Sequence, residues 1–173
     1  KGAMVLNKSR ISNFDGKPRG TTSMQEALSQ SLNMGSVFVM QRLGKDRFRD
    51  YFKAFGLGEE TGIDLPNEGV GKIQNLESPR DIEYATASFG QGITMTPIGT
   101  IRALASLANG GVLVSPHVVK RTEYGFGSPR EFVPGSERRV IKKETAEEIT
   151  RMLTAVVDKS LMEGTLKMEH YSI

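Results

Sequence analysis

The stretch EALSQSLNMGSVFV, residues 26–39, places two polar side chains, Ser31 and Asn33, inside a pattern that otherwise reads as one long helix. Serine and asparagine side chains bond to nearby backbone and favour caps and turns over helix interiors. The stretch therefore predicts a corner between two helices. Such a corner can point a hydroxyl and an amide the same way on a rigid support, which is useful for stabilising a transition state. By itself S-x-N is a weak signal, because short patterns of this kind occur by chance.

Most other site chemistries are missing from the sequence. The chain has no cysteine, which excludes disulfides and thiolate chemistry, and its two histidines, His117 and His170, are far apart with no carboxylate at a ligand spacing. The adjacent carboxylate pairs at 59–60 and 147–148 are typical of a solvated face. There is no phosphate-binding glycine loop and no G-x-S-x-G turn. We therefore expect no metal ion and no cofactor.

The composition is that of a soluble globular protein. Hydrophobic and charged residues make up 38% and 25% of the 173 residues, and the length fits one domain or a large part of one. The net charge is +3 and the basic residues are mostly scattered, which argues against nucleic-acid binding. No apolar run is long enough to cross a bilayer, and the N-terminus has no signal-peptide core. The protein is therefore either cytoplasmic or made with a targeting segment outside this sequence.

Three helices are predicted around the corner. The sequence Ser23-Met24-Gln25-Glu26 has the form of a capping box and predicts a helix over about 24–30. A second helix follows the corner and ends at Gly44. Asp46 is predicted to cap a third helix, which ends at Gly56. That helix carries an aromatic stripe at helical spacing, predicted to lie in the core: Phe48, Tyr51, Phe52 and Phe55.

The rest of the chain is predicted to be mixed. Residues 57–72 are rich in glycine and predict an irregular loop. From there the sequence predicts, in order, a short helix from about Pro79, a glycine loop at 90–92, a helix over 97–108 capped by Thr96, valine-rich strand structure over 112–124, a hairpin over 130–141 that turns at Pro134-Gly135, and an amphipathic helix to about Lys159.

Together these elements predict an α+β fold that is mostly helical. Residues 1–22 are predicted to be a loop lead-in with one short strand, and Gly2-Ala3-Met4 is interpreted as a cloning scar. Residues 23–173 are predicted to be largely helical, with a final strand starting at Tyr171.

Five stretches, in order, strongly resemble the transpeptidase domain of class B penicillin-binding proteins: ALSQSLNMG, FGLGEETGIDLP, SFGQGITMTP, LANGGVLVSPHVVK, and TAEEITRMLTAVV with a later EGT. The resemblance runs from about residue 20 to the end. Proteins of that family are bacterial enzymes that cross-link peptidoglycan stem peptides and are acylated by β-lactams. The resemblance implies the penicillin-binding protein/β-lactamase-like serine transpeptidase fold, with residues 23–173 as the central, largely helical part of the transpeptidase domain.

In that family three motifs assemble the active site. The serine of S-x-x-K is the acyl nucleophile and its lysine is the usual candidate for the base, while S-x-N and K-[TS]-G complete the site. Ser31 and Asn33 match S-x-N, so the resemblance implies that both are catalytic residues. Ser31 would relay protons between the lysines of the other two motifs, and the Asn33 amide would bind a lysine and a carbonyl of the stem peptide.

The other two motifs are missing from the sequence, since no serine is followed three residues later by lysine and no K-[TS]-G occurs. We expect them upstream of Lys1 and just past Ile173, which makes the chain an excised central segment that is inactive alone. A degenerate homologue is the alternative. Two other functions also stay open, a β-lactam-recognising sensor or β-lactamase-like enzyme, and a non-catalytic cell-wall interaction module.

The resemblance also implies partners and a location. The partners are stem peptides ending in D-Ala-D-Ala, β-lactam antibiotics and cell-wall synthesis proteins, with no nucleic acid. The parent would lie in the bacterial inner membrane with its catalytic domain on the periplasmic or outer face. Its membrane anchor would lie in the part that precedes this chain.

Overall fold

The structure is a computed structural model that describes residues 2–133, 135–160 and Thr165. Its helices are α1 (Met24–Ser29), α2 (Asn33–Leu43), α3 (Lys45–Ala54), a 3₁₀ turn (Gln74–Glu77), α4 (Asp81–Ala87), α5 (Pro97–Ala108) and α6 (Lys143–Lys159). Its strands are β1 (Ala3–Leu6), β2 (Ser9–Ser12), β3 (Val112–Leu113), β4 (Arg121–Thr122), β5 (Arg130–Glu131) and β6 (Arg138–Arg139). The mostly helical α+β class predicted from the sequence is confirmed.

The described chain divides into two compact units. The first unit holds residues 2–50, 73–93, 147–160 and Thr165, and the second unit holds residues 51–72 and 94–146 except for the undescribed position 134. Among the residues that the structure describes, no helix is both long and apolar enough to span a membrane.

In the first unit, α4 packs on α2 and on the 3₁₀ turn. Val37 and Met40 of α2 and Leu76 of the turn are buried. Tyr84 of α4 is also buried, and its hydroxyl donates a hydrogen bond to the Leu76 carbonyl. The ring of Phe48 lies 6.4 Å from the Tyr84 ring. These contacts give the first unit an apolar centre beneath α2.

A hairpin occupies much of the range predicted to be a loop lead-in. β1 and β2 pair antiparallel, with Ala3 opposite Ser12 and Leu6 opposite Ser9. The two residues between the strands, Asn7 and Lys8, both have positive φ, as a two-residue type I′ turn requires. The prediction of a loop with a single short strand over residues 1–22 was therefore wrong, because this two-residue turn was not recognised.

The third helix begins earlier than predicted. α3 starts at Lys45, so Asp46 lies inside its first turn, where its carboxylate accepts from the Arg49 guanidinium at 3.1 Å. The assignment of Asp46 as the N-cap was wrong. The aromatic stripe is only partly in the core, since none of its members is fully buried: Phe48, Phe52 and Phe55 are half-buried and Tyr51 is exposed.

The second unit is built on α5, whose start matches the prediction. The Thr96 hydroxyl accepts from the Gly99 N–H at 3.2 Å, and Pro97 stands at the first helical position. β3 follows α5 and pairs antiparallel with β6, while β4 pairs with β5. The predicted hairpin over 130–141 is wrong, because β5 and β6 each pair with an earlier strand instead of with each other. Leu113 of β3 is 1% exposed and lies at the centre of the unit.

Candidate active-site corner

Ser31 ends α1 in a backbone closure of the Schellman type. Its N–H donates to the Leu28 carbonyl at 3.0 Å, and the Leu32 N–H donates to the Ala27 carbonyl at 2.9 Å. Between these two hydrogen bonds Ser31 takes a φ of +50°, in the left-handed region. Glycine usually occupies this position because it has no Cβ to clash with the following carbonyl. The break between the two helices that the sequence predicted is therefore present. Two backbone hydrogen bonds close it around a left-handed residue.

A serine in this conformation stores local strain. The left-handed backbone costs a residue with a Cβ roughly 1–2 kcal/mol relative to glycine. Ser31 is exposed, and among the described residues its hydroxyl has no hydrogen-bond partner. The fold thus gains nothing visible from this side chain. Strained residues of this kind cluster at functional sites, where the strain is retained for a role in the mechanism.

Asn33 is the first residue of α2, and its side chain is tied to the β1–β2 hairpin. Its Nδ2 donates to the Ser12 carbonyl at 3.0 Å. Because a carbonyl can only accept, this contact fixes which end of the Asn33 amide is the nitrogen. Within residues 2–133 and 135–160 the Asn33 Oδ1 atom accepts no hydrogen bond. The amide therefore keeps an acceptor oxygen and one N–H available at the corner.

The start of α2 is capped by a residue far away in the sequence. Leu32 is the N-cap residue and has no side-chain oxygen to offer. Instead the Met34 N–H donates to Asn13 Oδ1 at 3.1 Å. Asn13 is 3% exposed, and its Nδ2 donates to the Lys17 carbonyl at 2.9 Å. Sequence reasoning missed Asn13, because no local pattern indicates a cap supplied across 21 positions.

The glycine of the EALSQSLNMGSVFV stretch, Gly35, is explained by packing. A Cβ added at Gly35 would lie 2.9 Å from the Ala27 Cβ and 3.7 Å from the Leu32 Cβ. Real Cβ atoms do not approach that closely, so Gly35 permits α2 to cross next to α1. The spacing of the two helices, and with it the shape of the corner between them, depends on this glycine.

An open cleft of about 350 Å³ lies beside the corner in the first unit. Its floor is mainly apolar, and Arg19 stands at its side, donating to Gln30 Oε1 at 2.7 Å and to Asp15 Oδ2 at 2.6 Å. The hydrogen bond from Arg19 lowers the pKa of Asp15. Ser31 and Asn33 do not line this cleft. Its lining residues are Asn13, Arg19, Gly20, Thr21, Thr22, Met24, Ala27, Leu32, Met34, Gly35 and Phe38.

The remaining chemistry-bearing residues are not brought to the corner. His117 lies in the second unit, exposed, with its ring stacked on Phe132 at 4.5 Å. His170 and the strand predicted from Tyr171 lie outside the described residues. Across the part of the chain that the structure describes, no three His, Asp or Glu side chains are grouped so that they could hold a metal ion.

Comparison with known proteins identifies the class. A family model described as "Penicillin binding protein transpeptidase domain" matches residues 2–173. Stage V sporulation protein D of Bacillus subtilis is 34% identical over 159 residues, which cover 91% of this chain and 25% of that protein. The "Peptidoglycan D,D-transpeptidase FtsI homolog" of Mesostigma viride is 34% identical over 101 residues, 56% of this chain and 17% of that protein.

The solved structures agree. Penicillin binding protein 3 of Mycobacterium tuberculosis, in a crystal structure complexed with aztreonam, superposes with a TM-score of 0.83 at 29% identity, over 93% of this chain and 36% of that one. The chain thus belongs to the family of penicillin-binding protein transpeptidase domains. The family and the fold that the resemblance implied are both confirmed. The chain spans about a quarter or less of the length of the relatives it matches, and about a third of the solved one.

Proposed function

We propose that this chain is the central part of a peptidoglycan D,D-transpeptidase that cross-links stem peptides through a serine acyl-enzyme and is acylated by β-lactams. In this reaction a serine attacks the carbonyl between the two terminal D-Ala residues and the last D-Ala leaves. An amine of a second stem then takes the acyl group. Membership of the family supports this proposal, as does the aztreonam complex of the similar mycobacterial protein.

The observation that carries the proposal is the strained position of Ser31. A glycine at this helix end would relieve the backbone, and yet the chain places an exposed hydroxyl there, unpaired within the described residues. Two residues on, Asn33 is held by Ser12 with its Oδ1 atom also unpaired within that part of the chain. A hydroxyl, together with an amide two residues on that keeps an acceptor oxygen and one N–H, is suited to proton relay and to binding a peptide carbonyl or an ammonium group.

The nucleophile and the two lysines of the proposed mechanism are not in this sequence, which has neither S-x-x-K nor K-[TS]-G. In the proposal Ser31 relays a proton between those two lysines. Asn33 accepts a hydrogen bond from one lysine with Oδ1 and donates to the stem peptide with its remaining N–H. The chain alone forms no acyl-enzyme, and activity requires the protein encoded by the complete reading frame.

Labelling with a fluorescent penicillin tests the proposal on the protein expressed from the complete reading frame. We expect covalent labelling of the parent. Ser31→Ala and Asn33→Ala should slow acylation by about 10²-fold or more. Ser9→Ala is a matched control, because Ser9 is an exposed serine of the same unit that lies in β2. A folded parent that stays unlabelled would instead indicate a non-catalytic module. Rapid turnover of the antibiotic would indicate a β-lactamase-like enzyme.

We also propose that the parent acts at the bacterial inner membrane with this domain on the periplasmic or outer face, together with other cell-wall synthesis proteins. Stem peptides are found on that side of the membrane, so a transpeptidase must face it. Protease accessibility of this domain in intact spheroplasts tests the location. Protection of the domain until the membrane is lysed would contradict it.

A further inference from the structure

We propose that Asn13 is a positioning residue for transpeptidation, which sets the Ser31-Leu32-Asn33 corner by capping α2 from the β1–β2 hairpin. This inference rests on the proposed function and adds a residue outside the three family motifs. Among the described residues, Asn13 makes no hydrogen bond to Ser31. It acts through the first turn of α2, which carries Asn33.

Each of the four polar groups of Asn13 makes a hydrogen bond within the fold. Its N–H donates to the Gly2 carbonyl at 3.3 Å, and its carbonyl accepts from the Gly16 N–H at 2.9 Å. Its Nδ2 donates to the Lys17 carbonyl, and its Oδ1 accepts from the Met34 N–H. At 3% exposure, water cannot readily replace these contacts. The Asn13 side chain is therefore held in one orientation, and it holds the start of α2 in turn.

The contact is reciprocal. Asn13 accepts from the backbone of α2, at Met34, and the neighbouring helical residue Asn33 donates to the backbone of the strand, at Ser12. Two hydrogen bonds between adjacent residue pairs fix both the distance and the rotation of the helix end relative to the strand end. We call these two bonds the asparagine clamp.

The clamp acts on the corner because very little chain separates them. Leu32 alone lies between the left-handed Ser31 and the first residue of α2, and Leu32 is 5% exposed and so has little room to adjust. Leu32 offers no side-chain cap of its own. Without Asn13 Oδ1 the Met34 N–H would be left without its partner, and the first turn could fray and take Asn33 with it. A displacement of about 1 Å at such a site can cost about 100-fold in rate.

The test uses the protein from the complete reading frame and three variants. Asn13→Ala removes both side-chain contacts. Asn13→Asp keeps an oxygen for the Met34 N–H, next to a helix N-terminus that favours a negative charge, but replaces the Nδ2 donor to the Lys17 carbonyl with a second acceptor oxygen. Asn109→Ala is the matched control, because Asn109 Oδ1 also accepts from a backbone N–H, that of Val112 at 3.1 Å, but in the second unit. Two quantities are measured, the hydrogen-exchange protection of the Met34 amide and the penicillin acylation rate, split into non-covalent affinity and rate constant.

We expect Asn13→Ala to lower the Met34 protection and to reduce the acylation rate constant by about 10- to 100-fold, with the final labelled fraction unchanged. Asn13→Asp should restore part of the rate, because it keeps the cap on the Met34 N–H while losing the donor to the Lys17 carbonyl, and Asn109→Ala should leave the rate unchanged. Rescue by the aspartate separates positioning from a general loss of stability. If Asn13→Ala does not fold, Asn13→Thr replaces it, with one oxygen on a shorter side chain and an intermediate rate expected.

Two results would overturn the inference. Loss of Met34 protection with an unchanged acylation rate would make Asn13 a cap with no effect on the site. Equal loss of rate in the alanine and aspartate variants would also contradict it. Failure of the proposed function looks different, because the wild-type parent would then not be acylated at all, while the Met34 amide would still lose protection in Asn13→Ala.

Discussion

The ends of α1 and α3 have the same backbone closure and different residues at its critical position. In α1 the outer hydrogen bond joins the Leu32 N–H to the Ala27 carbonyl, and in α3 it joins the Leu57 N–H to the Phe52 carbonyl. In each helix the residue just before the donor is left-handed: it is Ser31 after α1, with a φ of +50°, and Gly56 after α3, with a φ of +74°. α4 closes in the same way, with Gly90 as the left-handed residue. At the end of α5 the outer hydrogen bond joins the Gly111 N–H to the Ser106 carbonyl, and the left-handed residue before it is Gly110.

The surroundings of the two positions differ in how much room they leave for a side chain. A Cβ added at Gly56 would lie 3.0 Å from Arg102 Nη1 and 3.2 Å from Leu113 Cδ2. Ser31, by contrast, is exposed. Glycine at the end of α3 is thus favoured by packing as well as by φ. At the end of α1 only φ favours glycine, so the serine is tolerated at a moderate cost, and this difference supports a functional reason for it.

Among substitutions at these helix ends, Gly56→Ala is expected to lower the free energy of unfolding the most. The new Cβ would combine left-handed strain with a collision against Arg102, whose Nε donates to the Val114 carbonyl at 2.9 Å, and against the buried Leu113. We expect the free energy of unfolding to fall by about 2–3 kcal/mol. Urea unfolding followed by circular dichroism measures it. A loss no larger than that of Gly90→Ala would show that packing adds nothing at this helix end.

Gly90→Ala measures how much the left-handed backbone alone lowers the free energy of unfolding when glycine is replaced by alanine. A Cβ at Gly90 would meet no described atom within 4 Å, while its φ of +85° remains unfavourable for alanine. The strain is partly offset because alanine restricts the unfolded chain more than glycine does. We expect a loss of about 1 kcal/mol in the same unfolding experiment. A neutral result would mean that the closure of α4 relaxes to accommodate alanine.

Ser31→Gly should raise the free energy of unfolding, whereas the two glycine-to-alanine substitutions lower it. Relief of the left-handed strain outweighs the added freedom of the unfolded chain, so the variant should be more stable by about 0.5–1 kcal/mol. Ser31→Ala keeps the Cβ and should leave the stability close to that of the wild type. If Ser31→Gly is less stable than the wild type, the serine has a structural role and the contrast with Gly56 fails.

The sequence predicted those helix ends that are encoded locally. Ser23 and Thr96 cap helices within three residues of themselves, and Gly44 lies directly after the helix that it ends, so their patterns were sufficient. The predicted corner at residues 31–33 is also confirmed. The left-handed φ of Ser31 was not foreseen, because serine rarely adopts it and the pattern gives no sign of the closure.

The contacts that sequence reasoning missed are between residues distant along the chain. Asn13 caps a helix 21 residues away, and β5 and β6 choose partners that lie before the predicted hairpin. Strand pairing and capping at such separations depend on how the elements pack, which residue spacing alone does not report. The roles of Ser31 and Asn33 in catalysis stay predictions that the labelling experiment tests.

The segments that follow the two helix ends should differ in their response to acid. After α3 the chain enters the loop 57–72, which is held by carboxylates. Partial burial raises the pKa of Glu68, but hydrogen bonds donated by the Thr61 hydroxyl and by the Thr61 and Gly62 N–H groups outweigh it, so the pKa is lowered. Hydrogen bonds from the Val118 and Val119 N–H groups lower the pKa of Asp64. In the corner after α1, the asparagine clamp itself joins only neutral amide and carbonyl groups, and the nearby carboxylate, Asp15, accepts from the Lys17 N–H in the loop that follows Asn13.

A carboxyl whose pKa is lower in the folded state stabilises the fold above its unfolded pKa of about 4 and loses that contribution as the pH falls through the folded pKa. As the pH falls from about 5 through the lowered folded pKa values, the amides of Thr61, Gly62 and Val118 should therefore lose hydrogen-exchange protection, after correction for intrinsic exchange. The Met34 amide should keep its protection over the same range. Glu68→Gln should make Thr61 and Gly62 insensitive to this change, while Val118 continues to respond through Asp64. Simultaneous loss of protection at Met34 and Thr61 would mean that acid unfolds the chain as a whole, and the contrast between the two segments would then not hold.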